Sequence, residues 1–167
     1  MRQRIDPQFN RHLVEARAHY RRGSFSCAMR ALLLAQGRNP AQPEVHRLLG
    51  LCYARQGRLD EAREALREAI RLNPLDFLAR GSLAVLLSHD GEADSAIEQL
   101  EHGISVLQEG AASAHQEARA MVESGRLHES LALLRRAAWL RLGSAVLQYY
   151  LSEVFTEHSL LELAFRD

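Results

Sequence analysis

Apolar residues recur along this chain at helical spacing, in stretches broken at regular intervals by a single glycine. Between Pro43 and Gly57 the stripe is Val45, Leu48, Leu49, Cys52 and Tyr53; after Gly57 it is Ala62, Ala65, Leu66, Ala69 and Ile70. Steps of three and four residues keep each set on one face of a helix. Gly57 falls where a chain leaving a helix often needs a left-handed residue. Asp60 and Glu61 open the next helix, where the dipole favours acids. Asn73-Pro74 closes it, because proline cannot continue a helix and disfavours helical geometry in the residue before it. The pattern therefore predicts two helices joined by a tight turn.

The same punctuation returns. Gly23, Gly57, Gly91 and Gly125 are 34 residues apart, as are Asn39-Pro40 and Asn73-Pro74. Leu32, Leu66, Leu100 and Leu134 form a series with that period. Small residues form three more: Ala28, Ala62, Ala96, Ser130; Ala35, Ala69, Gly103, Ala137; and Ala16, Gly50, Ala84, Ala118. Four units follow, 9–42, 43–76, 77–110 and 111–144. One helix pair cannot bury its apolar face alone, so such units must stack, with small residues allowing close approach and leucines filling the space between units.

In the second unit Leu49-Gly50, Tyr53, Gly57, Ala62, Leu66, Ala69 and Pro74 stand where the tetratricopeptide-repeat signature has those residue types, and the chain resembles that family over all four units. The resemblance implies an all-α fold, a right-handed alpha-alpha superhelix (TPR solenoid) of four helix-turn-helix repeats, with 1–167 a single TPR domain. Residues 145–167 would be a partial fifth repeat or capping helix. Two departures stand out. The usual tryptophan is replaced by His12, His46, Arg80 and Ala114, and the closing proline by Gln108 and Leu142 in the last two units. Losing the proline weakens the capping of those units and leaves the period unchanged.

Residues 145–157 read as a fifth first helix, His158-Ser159 as its turn, and Leu160–Asp167 as a second helix cut short. The terminal face is more apolar than a solenoid end normally is. Tyr149, Tyr150, Phe155, Leu160, Leu161 and Phe165 are candidates for a docking or homo-oligomer surface. The alternatives are that the natural chain continues or that the last helix folds back over the patch.

Composition narrows the chemistry. Aromatics are 6% of 167 residues, which fits helices better than a β-sandwich. All 21 basic residues are arginine, so a catalytic or phosphate-loop lysine is excluded. No Gly-rich phosphate loop, Gly-x-Ser-x-Gly or His-Glu-x-x-His occurs. Eight histidines show no i, i+4 pair, and first-turn acids read as helix-dipole partners. The expectation is no enzyme, no cofactor and no metal. Cys27 and Cys52 are too few for a disulfide framework and sit at helical core positions. No apolar run nears a membrane span and no signal peptide is apparent, so the expected setting is cytoplasmic, without a membrane partner.

What the family resemblance does imply is a groove lined by the first helix of each unit. Its candidates are Leu13, Arg17, Tyr20 and Arg21; Arg47, Leu51 and Arg55; Val85 and His89; and His115 and Arg119. Arginine offers planar, bidentate pairing to carboxylates, so the expected partner is a protein or peptide segment with acidic and apolar residues. The carboxylate clamp by which some family members hold chaperone C-termini is not supported, because Leu13 occupies its first basic position. The function expected is a non-enzymatic protein-binding module: a bacterial scaffold, adaptor or secretion-type chaperone. The alternative is the N-terminal TPR domain of a larger transferase-class enzyme. Net charge is zero but uneven, with eight arginines against Asp6 and Glu15 in residues 1–42, and Arg80 alone against six acids in 77–110. Head-to-tail self-association would use that asymmetry. Zero net charge and few aromatics disfavour nucleic acid.

Overall fold

A computed structural model describes the backbone of residues 6–164 and the side chains of 6–156. Seven helices run in order: α1 Pro7–Arg21, α2 Phe25–Arg38, α3 Pro43–Arg55, α4 Leu59–Leu72, α5 Phe77–His89, α6 Ala93–Glu123 and α7 Leu127–Ala164. No strand occurs among the described residues. The chain divides into two compact units, with the division between Ala79 and Arg80, inside α5.

The glycine punctuation is realised four times over. Gly23, Gly57, Gly91 and Gly125 have φ between +74° and +81°, the left-handed region. That geometry lets the residue after each glycine reach back over the helix end. The N–H groups of Ser24, Arg58, Glu92 and Arg126 donate to the carbonyls of His19, Tyr53, Leu87 and Met121 at 2.8–3.0 Å. This six-to-one bond satisfies a carbonyl that the ending helix would otherwise leave bare.

In the first unit α1 packs on α2, α2 on α3 and α3 on α4. Proline opens both α1 and α3, where its missing N–H costs nothing. Asp6 caps α1, its Oδ1 accepting from the Gln8 N–H at 2.9 Å. Asn39 and Asn73 leave helical geometry just before their prolines and end α2 and α4. One core runs through the packed helices: Phe9, Leu13 and Ala16 of α1; Ala28, Ala31, Leu32 and Ala35 of α2; and Val45, Leu48, Leu49 and Cys52 of α3.

The second unit departs from the expected pattern. The units expected at 77–110 and 111–144 do not part at a turn, because α6 passes unbroken through Gln108–Ala111. Nor does α7 break at Leu142 or at His158-Ser159; both are helical, and the helix reaches Ala164. The cause is local. The first two units stop with Asn-Pro; here the junctions read Leu107-Gln108-Glu109 and Arg141-Leu142-Gly143, with no residue that forbids a helix. The buried stripe also crosses each junction without a phase break. On α6 it runs Ala93, Ala96, Leu100, Gly103, Leu107, Ala111, Ala114, Ala118, and on α7 Ser130, Ala137, Leu140, Ser144, Leu147, Val154.

α6 and α7 thus form a long antiparallel hairpin folded at Gly125. Small residues on one helix take large ones from the other. A β-carbon at Gly103 would lie 2.7 Å from Leu147 Cδ1 and 2.6 Å from Arg80 Cδ; one at Gly110 would lie 3.3 Å from Leu140 Cδ1. The start of α5 joins this packing, with Gly81 against the Tyr150 ring and Arg80 buried. Burial lowers the pKa of the Arg80 guanidinium from its ordinary value.

The periodic leucines are not equivalent in the structure. Leu32, Leu66 and Leu100 are fully buried, whereas Leu134 is 39% exposed. Truncating a buried leucine to alanine costs about 2–5 kcal/mol, and a partly exposed one much less. Leu66→Ala is therefore expected to lower the urea midpoint clearly, and Leu134→Ala to leave it within about 1 kcal/mol of wild type. Equal losses would contradict the exposure of Leu134.

Candidate functional site

The first-helix residues expected to line a groove have different fates. Leu13 is buried with Phe9 and Ala16 in the first-unit core, so it offers no groove surface. The physical reason is its spacing: Phe9, Leu13 and Ala16 are four and three residues apart and share the inward face of α1. Leu51 and Tyr20 are half-buried against the same core, and the Tyr20 ring meets Phe25 edge-on at 5.6 Å. Arg21 and Arg55 are exposed.

The other two arginines of this face are committed within the unit. Arg17 forms a bidentate pair with Glu44 of α3, donating Nε to Oε1 at 2.8 Å and Nη2 to Oε2 at 2.5 Å. The hydrogen bond from Arg17 to Glu44 raises the arginine pKa further. Arg47 Nε donates to Asp76 Oδ2 at 3.1 Å. That pair is the more enclosed, with side chains 18% and 10% exposed. Asp76 also caps α5, its Oδ1 accepting from the Ala79 N–H at 3.0 Å. One carboxylate therefore ties α3 to the start of α5.

In the second unit Val85 and His89 are exposed on α5. Around the fold of the hairpin, the fourth-unit candidates come together. Ala112, His115, Gln116, Arg119, Ala120 and Glu123 of α6, with Arg141 of α7, line an open depression of about 520 Å³. A second, apolar hollow of about 280 Å³ adjoins it, sharing His115, Arg119 and Glu123 and adding Ala118, Val122 and Leu134. Among the described residues neither Arg119 nor Arg141 is ion-paired. The site thus offers two guanidinium groups and an imidazole, with the Glu123 carboxylate beside them, around a small apolar floor.

Arg141 and Leu134 were outside the sequence-derived groove, which drew only on first helices. The signal was Leu142 in place of the closing proline: it lets α7 run straight and hold Arg141 beside α6. Tyr149 and Phe155 are exposed on α7, and Tyr150 packs against Gly81. The side chains of Leu160 and Leu161, and all of Phe165, lie outside the described residues.

The remaining candidates among the described residues are metal-ligating and thiol groups. No group of three or more His, Cys, Asp or Glu could hold a metal there. Cys52 is buried, and burial pushes its thiol up to about 11, which keeps it protonated and inert at neutral pH. Cys27 is half-buried, less enclosed than its core position suggests. His46 is buried, with Nε2 at 2.7 Å from the Pro40 carbonyl oxygen, a packing role. No helix among the described residues is long and apolar enough to cross a membrane.

Comparison with known proteins fits this geometry. Residues 13–74 and 55–102 match the family model described as tetratricopeptide repeat, together more than half the chain. No curated protein matches. Among solved structures, one of MamA superposes with a TM-score of 0.57 at 23% identity, covering 84% of this chain and 82% of that one. The TPR2B domain of yeast Sti1, solved as a complex with pHsp70, gives 0.56 at 16% identity, covering 80% and 98%. The Sgt2 TPR domain from Aspergillus fumigatus gives 0.56 at 19% identity, covering 80% and 78%. At these identities the likeness is one of fold.

The double role of Asp76 makes a separable prediction. Asp76→Asn keeps an oxygen for the Ala79 cap and loses the charge that faces Arg47, whereas Asp76→Ala loses both. Alanine is expected to destabilise by about 1 kcal/mol more than asparagine, the usual worth of an N-cap. Chemical denaturation of the two variants measures the difference. Equal midpoints would remove the capping role.

Proposed function

This chain belongs to the tetratricopeptide-repeat family, and from that premise we propose that it is a non-enzymatic module whose first-helix faces bind a segment of another protein. The segment we have in view carries carboxylates and apolar side chains. Such a module would serve as a scaffold, adaptor or chaperone.

The observation that carries this reading is the depression at the hairpin. It sets the unpaired Arg119 and Arg141 and the imidazole of His115 beside Ala118, Val122 and Leu134. Guanidinium groups bind carboxylates through parallel N–H donors, and the neighbouring apolar floor gives an adjacent side chain a place to leave water. Arg17 and Arg47 are a weaker basis, because Glu44 and Asp76 already hold them. The site in this reading therefore lies at the depression of α6 and α7, around Arg119 and Arg141. The similarity in fold to the Sti1 domain solved with pHsp70 supports a polypeptide as the class of ligand.

A peptide array graded from basic to acidic, each with and without leucines, tests this directly. The expected result is retention of acidic, leucine-bearing peptides by the wild-type chain. Arg119→Glu should weaken it about tenfold, as loss of one charge-assisted hydrogen bond of ~1.5 kcal/mol implies. Retention that ignores peptide charge, or that survives Arg119→Glu unchanged, would defeat the reading.

A further inference from the structure

The exposure of Leu134 has a neighbourhood. In the first unit the equivalent Leu32 is fully buried in one core with Val45, Leu48, Leu49 and Cys52 of α3, the helix that turns back over α2. That return depends on the stop at Asn39-Pro40. α7 has no such stop and runs on to Ala164, so among the described residues no helix turns back over its outer side. Ser130 and Ala137 remain buried because they face α6. The side that would face a succeeding repeat lies open: Leu127, Leu131, Leu134, Leu142 and Tyr149 are all exposed, with Ala138 at the centre of the row. From Leu127 to Leu142 these positions follow one another at three or four residues, and Tyr149 lies two turns further on, a single stripe about 33 Å long at 1.5 Å per residue. α7 is therefore apolar on two sides, only one of which has a partner helix among the described residues.

The charges beside the stripe say what kind of helix would cover it. No acid occurs on α7 between Glu129 and Glu153, whereas Arg135, Arg136 and Arg141 do, all exposed. At 100° per residue Arg135 and Arg141 fall on opposite flanks of the stripe. We infer that this outer face of α7 docks an amphipathic helix of a partner protein, one whose apolar stripe is flanked by carboxylates. The inference goes beyond the groove described above: it shares Leu134 and Arg141 with that depression and extends to Leu127, Leu131, Leu142 and Tyr149, on the side of α7 where a further repeat would stack. A second copy stacked head to tail would present α1 here. That helix ends in the exposed Arg21 followed by Arg22, and like charges would oppose the contact.

The test uses the full chain and two synthetic helical peptides with the same leucine stripe, one flanked by glutamates and the other by lysines. Trp139, the only tryptophan, is exposed on α7 beside the stripe and reports burial through its emission. The glutamate-flanked peptide is expected to bind saturably with a blue shift of Trp139, and the lysine-flanked one to bind at least about tenfold more weakly. Leu142→Glu should abolish binding at unchanged far-UV helicity. Arg135→Glu, a purely electrostatic change at an exposed position, should narrow or reverse the preference between the peptides. Equal binding of both peptides, or no saturable binding, overturns the inference. A concentration-dependent dimer dispersed by Leu142→Glu would instead assign the face to a second copy. Retention on phosphatidylglycerol vesicles without peptide binding would assign it to a lipid surface; either result also overturns it.

Discussion

A helix inside a stack of repeats has two apolar sides and needs two neighbours to hide them. One neighbour is its own partner across the glycine turn. The other is the helix of the next unit, and that helix arrives only if the chain stops and turns back. In the first unit both conditions hold: Gly23 and Gly57 make the turns within pairs, and Asn39-Pro40 makes the turn between them. The result is a continuous core from Phe9 to Cys52 in which the periodic leucine is fully enclosed.

Removing the stop changes the packing without changing the period. In α6 and α7 the same series of small and large residues persists, yet it serves a long two-helix hairpin. Small positions that would seat a neighbouring unit here admit side chains of the opposite helix of the hairpin, as Gly103 does for Leu147. The apolar surface saved along the hairpin is offset by the surface left uncovered on α7. Each buried leucine is worth about 1.5–3 kcal/mol of transfer free energy, so an uncovered row of them is a substantial unspent driving force for association.

Much of this was legible in the residues. The period, the helix pairs and the left-handed glycines follow from spacing and elementary stereochemistry. The continuous helices were harder to read because their signal is an absence: Gln108 and Leu142 merely permit a helix where Pro40 and Pro74 forbid one. Leu13 was placed in the groove by family position, although its spacing from Phe9 and Ala16 already put it on the buried face. The engagement of Arg17 by Glu44 and of Arg47 by Asp76 lay beyond reach, since each pair joins residues more than 25 apart in sequence whose meeting depends on packing.

With arginine as the only strong base, its pairing shows where the surface is neutralised from within. Arg58, Arg63 and Arg71 pair with Glu61, Asp60 and Glu68 along α4, and Arg126 with Glu129 at the start of α7. These pairs between residues three apart contribute little to stability, but they neutralise each of these arginines locally. Glu61 and Glu68 are held ionised to lower pH by their arginines, which keeps that surface balanced. Beyond Glu129 the balancing stops, because α7 supplies no further acid until Glu153 while Arg135, Arg136 and Arg141 accumulate. The uncovered leucines and the unbalanced arginines thus fall on the same helix. Apolar surface alone would favour indiscriminate association; arginines along its margins impose a charge requirement on whatever covers it. A missing proline and a missing acid together turn the end of a repeat pattern into a surface with a defined chemical preference.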